Sequence, residues 1–378
     1  MFIKVQTLFY CKRTVQWLNL AAINIMNSRY LTVGLFLGLL SGGACPLFGA
    51  DASVRPVTAN ASPEAVDLLQ YLHDISGKHT LAGQHCNPLV GSTRLVTVYR
   101  QTKHYPAVFG QDFGFDAPGS WDGINFRQQI VDEAIRRHQE GFIIVLMWHA
   151  VRPTEDEPVT FKESVQGKLT DKEWQDLITP GTEINERWKS QVDVIAWFLK
   201  QLQYAGVPVL WRPYHEMNGD WFWWGKKSGD NGYKKLYRML YDRLVHFHRL
   251  NNLIWVYGPN ELNDNVDSYD KYYPGNDVVD VLATDVYHRG FAQRDYDELQ
   301  ALAGDKPIAL GEVGSPPSVE ILRSQPKWTW FMVWGDLGGF GRGGTNPLAT
   351  YQCEQVLTLE KLPWVKLGEP KIHYPILK

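Results

Sequence analysis

Apolar residues in this chain fall into two alternating patterns. Eight short runs are almost continuous in apolar, β-branched or aromatic side chains: residues 80–85, 106–112, 142–150, 207–216, 253–260, 279–287, 307–314 and 328–336. Residues 142–150 (FIIVLMWHA) are the clearest. Between most of them the spacing becomes helical, over residues 125–139, 184–204, 232–249, 296–303, 319–324 and 347–360, and one helix precedes them at 63–77. The pattern after the fifth run is weak, and residues 262–273 predict only a short helix. Runs apolar on both sides are the mark of parallel strands covered on both faces. Eight such strands with crossovers predict a single-domain α/β fold, the (β/α)₈ TIM barrel. Residues 152–180 are long and charged and read as an extended loop at the top of that barrel.

The first 62 residues lie outside the alternation. Residues 31–50 are an apolar run rich in small side chains, with Arg29 before it and an A-x-A pattern at Ala50-Asp51-Ala52. Residues 1–52 therefore predict a signal or targeting segment and export to the periplasm or medium. A membrane anchor is the alternative, as is a lipoprotein through Cys45, for which Gly42 is a poor fit. Residues 53–62 read as a linker and 63–378 as the catalytic domain. Beyond the leader only Cys86 and Cys353 remain. A disulfide between them is allowed in an exported protein, because the first and last elements of a closed barrel are neighbours.

Charge and composition narrow the chemistry. The net charge of -3, from 38 basic and 41 acidic residues, leaves no electrostatic footprint for nucleic acid. Fifteen tryptophans suit a protein that stacks on sugar rings, and equally a large core. Position is more informative. The C-terminal ends of barrel strands build the active site, and here those ends carry Asp112, Trp148, His149, Arg212, His215, Glu216, Asn260, Asp285, Tyr287, Glu312, Trp334 and Asp336.

Glu216 and Glu312 each end an apolar strand, where a carboxylate needs a partner or a task. Strands four and seven face each other across the mouth. Carboxyl groups about 5–5.5 Å apart there would act with retention, and about 6.5–9.5 Å apart with inversion. Taken singly, either Glu could be a structural ion pair, for instance with Arg212. His149 and His215 suit hydrogen bonding to the carboxylates or to a sugar hydroxyl. Two His and two Glu could also bind a metal, but no HExxH pattern is present. Tyr287 is placed to hold a carboxylate nucleophile. Trp221, Phe222, Trp223 and Trp224 form a plug or wall a cleft, and Trp334 is a candidate floor.

The stretch RPYHEMNGDWFWWG, residues 212–225, resembles the acid/base motif of glycoside hydrolase family 26, the β-mannanase family, whose usual form is R-P-x-H-E-M-N-G-x-W-F-W-W-G. Trp148-His149, the ATDVY of residues 283–287, the ALGEVG of 309–314 and the MVW of 332–334 are similar to its third, sixth, seventh and eighth strand motifs. The resemblance implies a retaining, endo-acting β-1,4-mannanase with Glu216 as acid/base, Glu312 as nucleophile, and Tyr287 and His215 in support. It implies substrate contacts from Trp148, His149, Arg212, Trp221, Trp223, Trp224, Asn260, Asp285 and Trp334. No cofactor or metal is expected. The expected partner is a β-mannan or related polysaccharide or oligosaccharide, met by a monomer. Mannobiose-releasing, mixed-linkage glucan and xylan activities also occur in the family, and a non-catalytic sugar-binding barrel is the reading from another class. Gly335 stands where some members have Arg.

Overall fold

The computed structural model describes residues 54–86, 93–115, 124–287, 290–334 and 346–365. The apolar run at 31–50, the cleavage pattern, Cys11, Cys45, Gly335 and Asp336 lie outside them. Strands β1 (Thr80–His85), β2 (Val108–Asp112), β3 (Ile143–Trp148), β4 (Val209–Pro213), β5 (Leu253–Tyr257), β6 (Val281–Val286), β7 (Ile308–Val313) and β8 (Trp328–Val333) each pair in parallel with the next. β8 pairs with β1 from Leu81–Trp330 to Gln84–Val333, which closes the barrel. Every residue of these eight strands is buried, as the unbroken apolar runs require.

Helices cover the outside. α1 (Pro63–Ile75) starts at Ser62, whose side chain accepts from Ala65 N, with Pro63 at the first helical position. α2 (Thr93–Thr102) turns only Leu95, Val98 and Thr102 inward, too sparse a stripe for its sequence to announce a helix. α3 (Arg127–Gln139) lies between β2 and β3. The 152–180 stretch is more ordered than its charge suggests. It holds a wide π-type turn, Phe161–Val165, and α4 (Asp171–Leu177), which opens on a capping box of Thr170 and Glu173. Next come α5 (Glu183–Tyr204), α6 (Tyr233–Tyr241), α7 (Gln293–Ala303) and α8 (Val319–Ser324). The expected 232–249 helix widens into a π-type turn at Asp242–Phe247, and 262–273 holds only a 3₁₀ turn, Tyr269–Tyr272.

The last predicted helix is shorter than its pattern. α9 (Pro347–Gln352) stops before β9 (Val356–Leu357), which pairs with Thr80 and Leu81. The cause is an unpaired edge. Pairing of β1 with β2 begins only at Gly83, so the start of β1 takes its second neighbour from the tail, and Thr80 N donates to Gln355 O at 2.9 Å.

Residues 54–62, read as a linker, are bound to the N-terminal end of the barrel. Thr58 donates to Leu253 O at 2.6 Å, Val57 N to Asp280 Oδ1 at 2.7 Å and Ser62 N to Asn251 O at 2.7 Å. The disulfide allowed by the sequence is not formed. Cys86 and Cys353 are both free, and burial pushes the Cys86 thiol up to about 12. No helix among the described residues is long and apolar enough to cross a membrane.

Candidate active site

The chain leaves β4 through a strained turn. Tyr214 has φ +47° and Glu216 φ +55°, both in the left-handed region that residues with a Cβ seldom adopt. Surrounding bonds fix the turn. Glu216 N donates to Gly258 O at 2.7 Å, Trp188 Nε1 to Tyr214 Oη at 2.9 Å, and Trp224 Nε1 to His215 O at 2.7 Å. The Asn-Gly that follows is equally specific. A Cβ on Gly219 would lie 2.1 Å from the Trp221 ring, so only glycine lets the indole fold back. Trp221 Nε1 then donates to Glu216 Oε2 at 2.5 Å.

Arg212 is the hub below this turn. Its side chain is 1% exposed. It donates to Asp285 at 2.9 and 3.1 Å through one nitrogen and to Glu312 Oε1 through the other. Burial opposes the Arg212 charge, but Asp285 and Glu312 outweigh it and hold the guanidinium above its ordinary range. Glu312 also accepts from Tyr287 Oη at 2.5 Å, and His215 Nε2 lies 3.7 Å from its Oε1. Burial first, then the Glu312 charge, push the Tyr287 phenol well above its usual value, so it stays a proton donor. Burial and the Arg212 charge hold His215 well below the usual imidazole range, so it is neutral.

Among the described residues no cation forms an ion pair with Glu216. Its carboxyl group accepts from the Trp221 indole, and burial followed by the Glu312 charge pushes it up to about 7. Two carboxyl groups in one site therefore have opposite surroundings. One is bound by Arg212 and a phenol, and the other is kept near the pH where it can give or take a proton. Such a pairing is what assigns acid and base roles.

A second wall carries His149. Asp112 accepts from His149 Nδ1 and, at 3.1 Å, from its backbone N–H, which fixes the ring and turns Nε2 away from Asp112. His149 and His215 meet edge to face at 4.5 Å. Trp334 lies 6.1 Å from His149 and stacks on His85 at 4.0 Å. A cavity of about 480 Å³ is lined by Glu216, Trp221, Asn260, Asn263, Asp264, Asn265 and Tyr287.

The structure thus brings Glu216, Glu312, Tyr287, His215, Arg212 and Asp285 together, with His149, Trp334, Trp221 and Asn260 around them. Arg212 and Asp285 lie beneath the carboxylates as their support and are not cleft walls. Three tryptophans expected to touch substrate do not reach the cleft. Trp148 is 1% exposed and Trp223 and Trp224 are fully buried. Trp223 Nε1 donates to Ala150 O and Trp224 Nε1 to His215 O, so these indoles brace the turn from behind. Consecutive aromatics on one loop must split between core and cleft, and here only Trp221 of the group lines the cavity. Residues outside the sequence-based set also contribute. His85 ends β1 as His149 follows β3, and strand position alone could have drawn attention to it. Glu261 is fully buried and accepts from Tyr287 N at 3.1 Å. Asn218 is fully buried between the loops after β4 and β5.

The donor atoms of His215, Asp285 and Glu312 lie within 4.8 Å of one another, a spacing a metal ion could use. Arg212 already places a buried positive charge on both carboxylates, so the donor set does not fit a second cation.

Comparison with known proteins agrees with this geometry. The model of glycosyl hydrolase family 26 matches residues 57–341. A mannan endo-1,4-beta-mannosidase of Thermothelomyces thermophilus is 36% identical over 323 residues, 82% of this chain and 63% of that protein, so the chain spans less than two thirds of that relative. The structure of GH26A from Muricauda sp. MAR_2010_75 matches with a TM-score of 0.77 at 46% identity, covering 81% of this chain and 99% of that one. A beta-mannanase from a symbiotic protist of the termite Reticulitermes speratus, solved with gluco-manno-oligosaccharide, matches at TM-score 0.70 and 29% identity, over 82% and 97% of the two chains. With the motif, the closed barrel and the match over residues 57–341 in agreement, the chain belongs to glycosyl hydrolase family 26.

Proposed function

We propose that this protein is an endo-acting β-1,4-mannanase that cleaves mannan-type polysaccharides with retention. The observation that carries the reading is the unequal pair of carboxyl groups. Glu216 is raised to about 7, while Glu312 faces Arg212 and the Tyr287 phenol. In the first step Glu312 attacks the anomeric carbon as Glu216 gives its proton to the glycosidic oxygen, and the leaving sugar departs. The product is a glycosyl ester of Glu312, reached through an oxocarbenium-like transition state. Esterification removes the Glu312 charge, one of the two causes that raise Glu216. The ionised Glu216 then takes a proton from water, whose oxygen attacks the anomeric carbon and breaks its bond to Glu312, which leaves as a carboxylate. Tyr287 and Arg212 hold the nucleophile's two oxygens throughout. His149, fixed by Asp112, and Trp334 on His85 supply hydrogen bonds and a stacking face for the sugar that becomes attached.

Mannan as the substrate is supported by the names of the relatives. The internal mode of cleavage is supported by a cavity that continues past Glu216 to Asn265. Export is supported by residues 31–50 and the A-x-A pattern after them. The test is a product profile on mannan, galactomannan, lichenan and xylan, with the anomer of the first product followed by NMR. Fastest release from mannan, mixed oligosaccharide lengths and an initial β-anomer are expected. An initial α-anomer would refute retention, and preference for lichenan or xylan would refute the substrate. Separately, azide should restore turnover of an activated aryl glycoside to Glu216→Ala and not to Glu312→Ala.

A further inference from the structure

The Asn218 side chain is fully buried and bonded on both sides, yet it takes no part in the proton or ester chemistry. Its Oδ1 accepts from Asn260 N at 2.8 Å, and its Nδ2 donates to Asn260 O at 2.9 Å and Asp267 O at 3.2 Å. Its own carbonyl accepts from Asp267 N at 3.0 Å. An amide that pairs with both backbone groups of one residue acts like a neighbouring strand. It thereby ties the loop after β4, two residues past Glu216, to both ends of the segment from 260 to 267. That segment is the wall facing Trp221 in the cavity. Asn263, Asp264 and Asn265 line it, and their local turn is closed by Asn265 N on Asn263 Oδ1 at 2.9 Å.

A general acid stands beside the oxygen it protonates, so the sugar on the Glu216 side of the bond is the one that leaves. The cavity lined by Glu216 and Trp221 lies beside that acid, and neither Trp334 nor His149 is among the residues that line it. We infer that residues 263–265 form the wall that reads the hydroxyls of the leaving-group sugar, and that Asn218 is the positioning residue that keeps this wall in register with Glu216. The inference rests on the glycosidase reading of the site.

The experiment compares two substrates on the full chain. Mannotetraose places sugars against the wall. A dinitrophenyl β-mannobioside has a leaving group that needs neither the wall nor a proton. In Asn218→Ala the ratio of kcat/KM on mannotetraose to that on the aryl substrate should fall about tenfold, mainly through KM, and Asn218→Asp should also lower it because it loses both Nδ2 bonds. Asn265→Ala, at an exposed position, tests the wall without touching the core and should lower the same ratio. A ratio within about twofold of the parent in both Asn218→Ala and Asn265→Ala, with the parent active, would overturn this inference alone. A parent inactive on both substrates would overturn the glycosidase reading and this inference with it.

Discussion

Replacing Glu216 by glutamine measures the electrostatics of the proposed acid without any substrate. Burial and the Glu312 charge move the Glu216 carboxyl from 4.5 to about 7, so at pH 8 the ionised side chain costs the folded protein about 3 kcal/mol relative to the unfolded chain. The sign follows from proton binding. Below pH 4.5 Glu216 is protonated in both states and nothing is lost. Between 4.5 and about 7 the unfolded chain has ionised and the folded one has not, so stability falls as pH rises. Above 7 the loss is complete. Glutamine is neutral throughout and its amide oxygen can still accept from Trp221 Nε1. The assay is denaturant unfolding of parent and variant across this range. The stability of Glu216→Gln relative to the parent should rise by about 3 kcal/mol between pH 4.5 and pH 8. A difference that does not change with pH would refute the reasoning. It would mean that Glu216 titrates as an ordinary carboxyl group and holds no proton to give at neutral pH.

Two further changes probe the support of Glu312. Tyr287→Phe removes the 2.5 Å bond to Oε2, and the loss of a hydrogen bond to a charged group should lower kcat by about 10- to 100-fold with KM little changed; an unchanged kcat would remove Tyr287 from the mechanism. Arg212→Met leaves Asp285 and Glu312 buried without their cation and should destabilise the fold by about 3–5 kcal/mol in denaturant unfolding. A loss under about 1 kcal/mol would show that the two carboxyl groups do not depend on Arg212.

The barrel was legible because its strands are buried on both faces. Each of the eight apolar runs holds one strand; the first matches it residue for residue, and the next six lose one to three residues at an end where loop backbone takes over. Helices with a strong stripe, such as α1 and α5, were equally clear. α2 was not, because only two of its ten residues are buried aliphatics. The tail from 347 to 360 misled for the opposite reason. Its spacing suits a helix, but the unpaired start of β1 captures Val356 and Leu357 as a strand. That outcome depends on a partner 276 residues away in sequence, from Thr80 to Val356, which no local pattern can encode.

The site divides along the same line. Residue type and strand-end position placed Glu216, Glu312, Tyr287, His149 and Arg212 at one barrel mouth, because an ionisable group at the end of a buried strand needs a partner or a task. Only the tertiary structure decided what each group touches. It gave Arg212 to Glu312 and Asp285 and left Glu216 with the Trp221 indole, which puts two chemically identical side chains in distinct surroundings. It also turned one indole of residues 221–224 into the cavity lining and sent Trp223 and Trp224 into the core. Sequence sets which groups arrive at the barrel mouth. Burial and neighbouring charge, which exist only once the barrel closes, set what those groups can do.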